Sequence, residues 1–192
     1  MWTTASEKLP WLYPAISHTT RPVRDGEQNG QDYHFVTRST FEKMIREKQF
    51  LEWAEVHGHL YGSATQNLDL GVKGQGLLFE VDYKGAQQIR GRLKKVIMIF
   101  VMTPSYDDLV NRIRNRGRIS ERELSVRLST ARAELQQVMD FDYLIINDDY
   151  NNAVNELLCI FNAERCRREY RTEEYLERWT REIQLSQQNS AG

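Results

Sequence analysis

Arg21 and Arg24 stand three residues apart in RPVRDGEQNG (21–30), a segment dense in Gly, Pro, Asp and Asn. Such a composition marks turns. A guanidinium is planar, permanently charged and rich in paired donors, so two of them in one loop can grip a phosphate. Tyr33 and Tyr61 carry hydroxyls of the kind that complete phosphate sites. Taken one at a time, the arginines also read as solvated surface and the tyrosines as packing; the chemistry lies in the combination.

Glu52 suggests a second recognition element. The Watson–Crick edge of guanine presents two donors, N1–H and N2–H, where adenine has an acceptor at N1. A carboxylate there accepts from guanine and repels adenine. A hydroxyl such as Ser63 or Ser17 can donate to guanine O6, and a site built from such buried partners penalises the wrong base by leaving protein groups unpaired. A third element is the run holding Arg112, Arg114, Arg116, Arg118, Arg122 and Arg127. By itself it reads as a solvated helix face or as a basic patch for nucleic acid.

These residues need a frame to hold them. FLEWAEVHGHLYGS (50–63) alternates apolar and polar positions around a turn at 57–59, which predicts a hairpin in a small mixed sheet whose polar face lines a pocket. Upstream, residues 32–36 predict a short strand. Ser39 or Thr40 is expected to cap a helix over 40–48, with Phe41, Met44 and Ile45 on one face. LLFEVD (77–82), VIMIFVM (96–102) and YLIIN (143–147) are short and almost continuously apolar, as in a parallel sheet covered on both faces. Helical segments over 85–93, 105–116 and 121–139 separate them, which is an α/β pattern. From 152 onward Val154, Leu157, Leu158, Phe161, Leu176, Trp179 and Ile183 recur at helical spacing. This predicts a long amphipathic helix, broken near Arg171, that packs on the sheet or else docks a partner. The end, SQQNSAG, reads as disordered.

The 192 residues, 40% hydrophobic and 28% charged, suffice for one core, and a net charge of -1 gives no global reason for a nucleic-acid or anionic-membrane partner. The longest strongly apolar stretch falls far short of the roughly 20 residues that span a bilayer. No signal-peptide core stands at the N-terminus, so a soluble cytoplasmic protein is expected. Cys159 and Cys166 lie too far apart along one helix to bridge and are expected as reduced, core or half-buried thiols. His18, His34, His57 and His59 show no metal-ligand spacing.

SHTTRPVRDGEQNGQDYHF, FLEWAEVHGHLYGS, FEVDYKGAQQIR, RIRNRG and YLIINDD occur in this order. At these spacings the chain resembles the guanylate kinase family from Ser17 to about residue 165. The resemblance implies a P-loop nucleoside monophosphate kinase-like parallel sheet flanked by helices, a mixed-sheet GMP-binding subdomain over about 17–76 and an arginine-rich lid over about 112–127. It implies a GMP pocket of Ser17, Arg21, Arg24, Glu27, Tyr33, Glu52, Tyr61, Ser63 and Asp82. Arg112, Arg116 and Arg127 match lid arginines that close on the phosphates, and Asn147 a residue near the adenine of ATP. The implied partners are GMP or dGMP and ATP, with Mg2+ as cofactor and neither nucleic acid nor membrane.

The family's glycine-rich loop ending in Gly-Lys-Ser/Thr is not found in these residues. On the family's spacing it would lie before Met1. Residues 1–16 are therefore expected to be a remnant of the first core helix, with the first core strand and P-loop absent and residues 167–192 a helical extension with a disordered tail. Catalysis by the chain alone is expected to be impaired. The gap in the core sheet is expected to leave the chain unstable, rearranged or dimeric through that edge. Glu80, Tyr83 and Lys84 depart from the usual Asp, Trp and Gln, and no metal ligand is assigned. Two functions fit: ATP-dependent phosphorylation of GMP to GDP, or a catalytically silent module binding GMP or a phosphopeptide.

Overall fold

The computed structural model describes residues 1–56, 58–70, 76–115 and 119–190. Helix α1 (Trp2–Lys8) leads into strand β1 (Leu12–Pro14), followed by β2 (His18–Thr19), β3 (His34–Phe35), α2 (Arg38–Arg46) and the hairpin β4 (Phe50–Val56) and β5 (His59–Ala64). A 3-10 helix (Thr65–Leu70) precedes β6 (Gly76–Leu78). Then come α3 (Tyr83–Arg92), β7 (Ile99–Met102), α4 (Tyr106–Asn115), α5 (Glu121–Leu135), a 3-10 turn (Val138–Asp140), β8 (Tyr143–Ile146), α6 (Tyr150–Arg165) and α7 (Arg168–Ser190).

The strands form one mixed sheet, ordered β3-β2-β5-β4, and two parallel pairs, β1-β6 and β7-β8. The three apolar runs expected in one parallel sheet are thus divided: 76–78 pairs with β1, and 99–102 with 143–146. Only the first residues of LLFEVD are strand, because Asp82 turns the chain by capping α3, its carboxylate accepting the Gly85 N–H at 2.8 Å. Ile145 anchors the β7–β8 pair against Ala5, Ala153 and Leu157, so α1 and α6 share one core. Leu144, Ile146 and Val101 remain substantially exposed.

The mixed sheet has two unlike faces. The pairing of β4 with β5 slips between Phe50↔Ala64 and Glu52↔Ser63, so that Leu51 is an extra residue, a β-bulge. Strand alternation without the slip would place Glu52 on the same face as Phe50. With it, Phe50 joins Phe41, Leu60 and Ala64 in an apolar cluster under α2, while Glu52 is turned to the opposite face beside Ser63. Phe41 is wholly buried and its ring stacks on Phe50 at 4.3 Å. The cap of α2 is Thr37, not Ser39 or Thr40: its hydroxyl accepts the Thr40 N–H at 3.2 Å. Lys48 closes the helix with φ +56°, where its N–H reaches the Ile45 carbonyl.

The outer edge of β4 is covered by α3. The Gln88 side chain accepts from Trp53 N–H at 3.3 Å and donates to Trp53 O at 3.0 Å, and Arg92 Nη1 donates to Phe50 O at 2.7 Å. Side chains thereby satisfy backbone groups that an edge strand would otherwise expose.

At the C-terminal end, the helix break falls at Cys166–Arg167 rather than near Arg171, and the helix continues to Ser190 through most of the tail expected to be disordered. The described side chains of α7, 175–187, are all exposed, Trp179 at 59% and Leu176 at 58%. This corrects the expectation that they pack on the sheet, since the core already has its cover in α1 and α6. Cys159 and Cys166 are exposed free thiols rather than core or half-buried ones, because the buried face of α6 runs through Ala153, Val154 and Leu157. Among the described residues no helix is long and apolar enough to cross a membrane.

Candidate functional site

Register explains why the candidate site residues meet. Thr19 on β2 pairs with Tyr61 on β5 and with Phe35 on β3, and Glu52 on β4 pairs with Ser63 on β5. By alternation these residues share the face opposite the α2 cluster. Glu52 is 4% exposed and its Oε1 accepts the Ser63 N–H at 2.8 Å. Ser63 is wholly buried, and its Oγ lies 3.2 Å from Ser17 Oγ. A carboxylate and two hydroxyls therefore stand together in a water-poor position, as reading a donor-rich base edge requires.

Burial pushes the Glu52 carboxyl above the usual carboxylate range; its bonds from Ser63 oppose this, and the neighbouring Asp82 charge adds to it. Asp82 thus lies close to Glu52, brought there by its position as the cap of α3. Glu134 on α5, which the sequence did not single out, is also raised, by burial and by the Asp82 charge. Its only signal in the sequence is its place among the charges of α5.

The loop after β2 builds the cationic part. Arg21 is 9% exposed, and its Nη1 and Nη2 donate to the two carboxylate oxygens of Glu27 at 2.9 and 2.8 Å. Glu27 Oε2 also accepts the Arg24 N–H at 2.8 Å. Glu27 therefore shapes the loop around both arginines. The Arg21 guanidinium lies 5.4 Å from the Tyr33 ring centre and 5.7 Å from that of Phe35, within cation–π range. The Tyr33 and Tyr61 rings meet edge to face at 6.1 Å. Bonding to Glu27 raises the Arg21 pKa further. Burial, then the charge of Glu80, raises that of Tyr33, so Glu80 borders the same cluster. Arg24 is exposed.

The second group sits on the β7–β8 pair. Asn147 N–H donates to Met102 O at 2.8 Å, prolonging that ladder by one bond, and Arg112 Nη2 on α4 donates to Asn147 O at 2.6 Å. Arg127 is half-buried on α5, which contacts α4. Arg116 lies outside the described residues.

A family model described as guanylate kinase matches residues 7–164. This chain belongs to the guanylate kinase family. It is 43% identical over 158 residues to a guanylate kinase of Neisseria gonorrhoeae, covering 82% of this chain and 77% of that one. To a guanylate kinase of Syntrophotalea carbinolica it is 42% identical over 160 residues, 83% and 76% of the two lengths. The crystal structure of guanylate kinase from Anaplasma phagocytophilum superposes with a TM-score of 0.74 at 30% identity, covering 90% of this chain and 87% of that one. The α/β fold with parallel and mixed sheets is thus that of the family, and helix α7 begins beyond the matched residues.

Proposed function

We propose that this chain binds GMP or dGMP on the site face of the mixed sheet and presents its phosphate for transfer from ATP, forming GDP or dGDP and ADP. The observation that carries this reading is the set of buried Glu52 and Ser63 with half-buried Ser17, on the same sheet face as Tyr61 and Phe35, which adjoin Arg21. Glu52 accepts from guanine N1–H and N2–H, and Ser17 and Ser63 serve O6. Arg21, Arg24, Tyr33 and Tyr61 hold the phosphate, with Glu27 setting the loop and Asp82 bordering the base side. An oxygen of the acceptor phosphate attacks the terminal phosphorus of ATP as the bond to ADP breaks. Arg112, Arg116 and Arg127 stabilise the charge on the moving group, and Asn147 lies toward the adenine.

Among the described residues no group of three or more His, Cys, Asp or Glu side chains could hold a metal ion. The described residues gather no donor set for a resident metal, and Mg2+ enters this reading as part of the ATP substrate complex. A homodimer joined through the edges of the two parallel strand pairs belongs to the same proposal, as does a cytoplasmic setting. A second reading is a silent module that holds GMP or a phosphopeptide in the same pocket, using Arg21 and Glu52 for binding alone.

The deciding experiment measures GMP-dependent ADP formation from MgATP by the purified chain, with Arg21→Ala in parallel, together with GMP and AMP titrations. Turnover lost in the variant supports the kinase. Selective GMP binding without turnover supports the silent module, and equal or absent binding of GMP and AMP overturns the base-reading site.

A further inference from the structure

A Cβ built on Gly85 would stand 2.8 Å from Glu52 Oε2 and 3.3 Å from Glu52 Cδ. No side chain fits there while that carboxylate keeps its place. Gly85 is the third residue of α3, is buried, and carries no unusual φ, so its backbone conformation does not require glycine. Alanine is the better helix former at such a position. The glycine is thus explained by what lies above it rather than by the helix.

The helix cannot retreat to make room. Its start is capped by Asp82 on the Gly85 N–H, and farther along Gln88 and Arg92 are bonded to the backbone of β4 on either side of Glu52, at Trp53 and Phe50. The same added Cβ would also stand 3.1 Å from Val81 Cβ, which leaves little slack for it to move aside. The one group able to yield is the end of the Glu52 side chain, which would swing about its Oε1 bond to Ser63.

We infer that Gly85 is a specificity-determining positioning residue, the floor on which the base-reading carboxylate of Glu52 rests, fixing the direction of Oε2. The start of α3 adds a favourable field at the same place, since a helix N-terminus stabilises a nearby carboxylate. The inference rests on the reading of Glu52 as the acceptor of guanine N1–H and N2–H. On that reading a methyl group at position 85 misaligns the acceptor pair without touching the arginines that hold the phosphate.

The test titrates GMP and IMP, which lacks only the 2-amino donor, into wild type, Gly85→Ala, Glu52→Gln and Gly85→Ala/Glu52→Asp. Gly85→Ala is expected to weaken GMP by about tenfold, the scale of losing one aligned charge-assisted bond, and to bring the GMP:IMP preference down toward one. The double variant, with a carboxylate one methylene shorter, is expected to regain part of both. A folded Gly85→Ala with GMP affinity and preference within twofold of wild type overturns the inference. If Gly85→Ala fails to fold, the double variant must restore the fold; its failure to do so overturns the inference too. Glu52→Gln is the separate control: unchanged GMP affinity there refutes the base-reading site itself, whatever Gly85 does.

Discussion

Arg112 on α4 donates to the main-chain carbonyl of Asn147, just past the end of β8, at 2.6 Å. The bond spans 35 positions and ties the arginine-bearing helix to a strand end, where backbone carbonyls have left the ladder and are open to a side-chain donor. Arg112 and Asn147 meet at the end of the β7–β8 pair, whereas Glu52 and Ser63, the proposed base readers, lie on the mixed sheet. Arg112→Ala is therefore expected to leave GMP affinity within twofold while lowering phosphoryl transfer by about 10²-fold or more, the usual cost of one positioned charge-stabilising group. Calorimetric GMP titration beside single-turnover ADP formation separates the two effects, and a large loss of GMP affinity would place Arg112 in the acceptor site.

Arg21 faces the opposite test. Its guanidinium is almost buried, doubly bonded to Glu27 and close to two aromatic rings, so it is held ready rather than recruited by ligand. Removing it should weaken GMP by more than about tenfold, as expected for a charge-assisted phosphate contact. Glu27→Gln should give a smaller loss, because the loop keeps its arginine but not the clamp. The bond from Arg21 holds the Glu27 carboxyl below its ordinary range. The clamp is accordingly fully present above the ordinary carboxylate pKa and is lost as pH falls through the lowered one. Equal GMP affinity in wild type and Arg21→Ala would remove the loop from the site.

If Glu52 reads the base as proposed, binding has a pH dependence of the other kind. Burial raises its folded pKa, and guanine's two donors need the ionised form. As pH falls, GMP affinity should begin to drop above the ordinary carboxylate pKa. Bound guanine, by favouring the carboxylate, should release a proton there. Calorimetry in buffers of different ionisation enthalpy detects that proton, which should vanish in Glu52→Gln. Proton release that persists in the variant would assign the titration to another group.

Much of this site was legible in the amino-acid order because it is built from short segments with strong local signals. The turn residues around Arg21, the alternation in 50–63 and the order of the motifs all act within a dozen positions. What escaped reading depends on a single inserted residue or on distant packing. The bulge at Leu51 leaves no mark in composition, yet it decides which face Glu52 occupies. Glu134 and Gly85 matter through helices laid against Asp82 and Glu52, a relation no local pattern encodes. The division of the parallel strands into two pairs and the exposure of α7 are likewise matters of which faces find cover, and periodicity alone shows only that such faces exist.

His18 lies on the apolar side of the mixed sheet, 7% exposed, with no hydrogen-bond partner for Nδ1 among the described residues. Its ring is 4.6 Å from His34 on the adjacent strand and meets Phe50 edge to face at 5.7 Å. Burial, then the proximity of His34, lowers its pKa from 6.5 to about 4. The folded protein therefore keeps His18 neutral where the unfolded chain would protonate it. Its contribution is fully present above pH 6.5 and is lost progressively as pH falls toward 4, by roughly 3 kcal/mol in all. His18→Phe keeps the aromatic contacts and removes the titration. Urea unfolding at pH 7.5 and pH 5 should show the gap between wild type and variant shifting in the variant's favour at the lower pH, by about 2 kcal/mol. An unchanged gap would mean that His18 already finds a proton partner inside the fold.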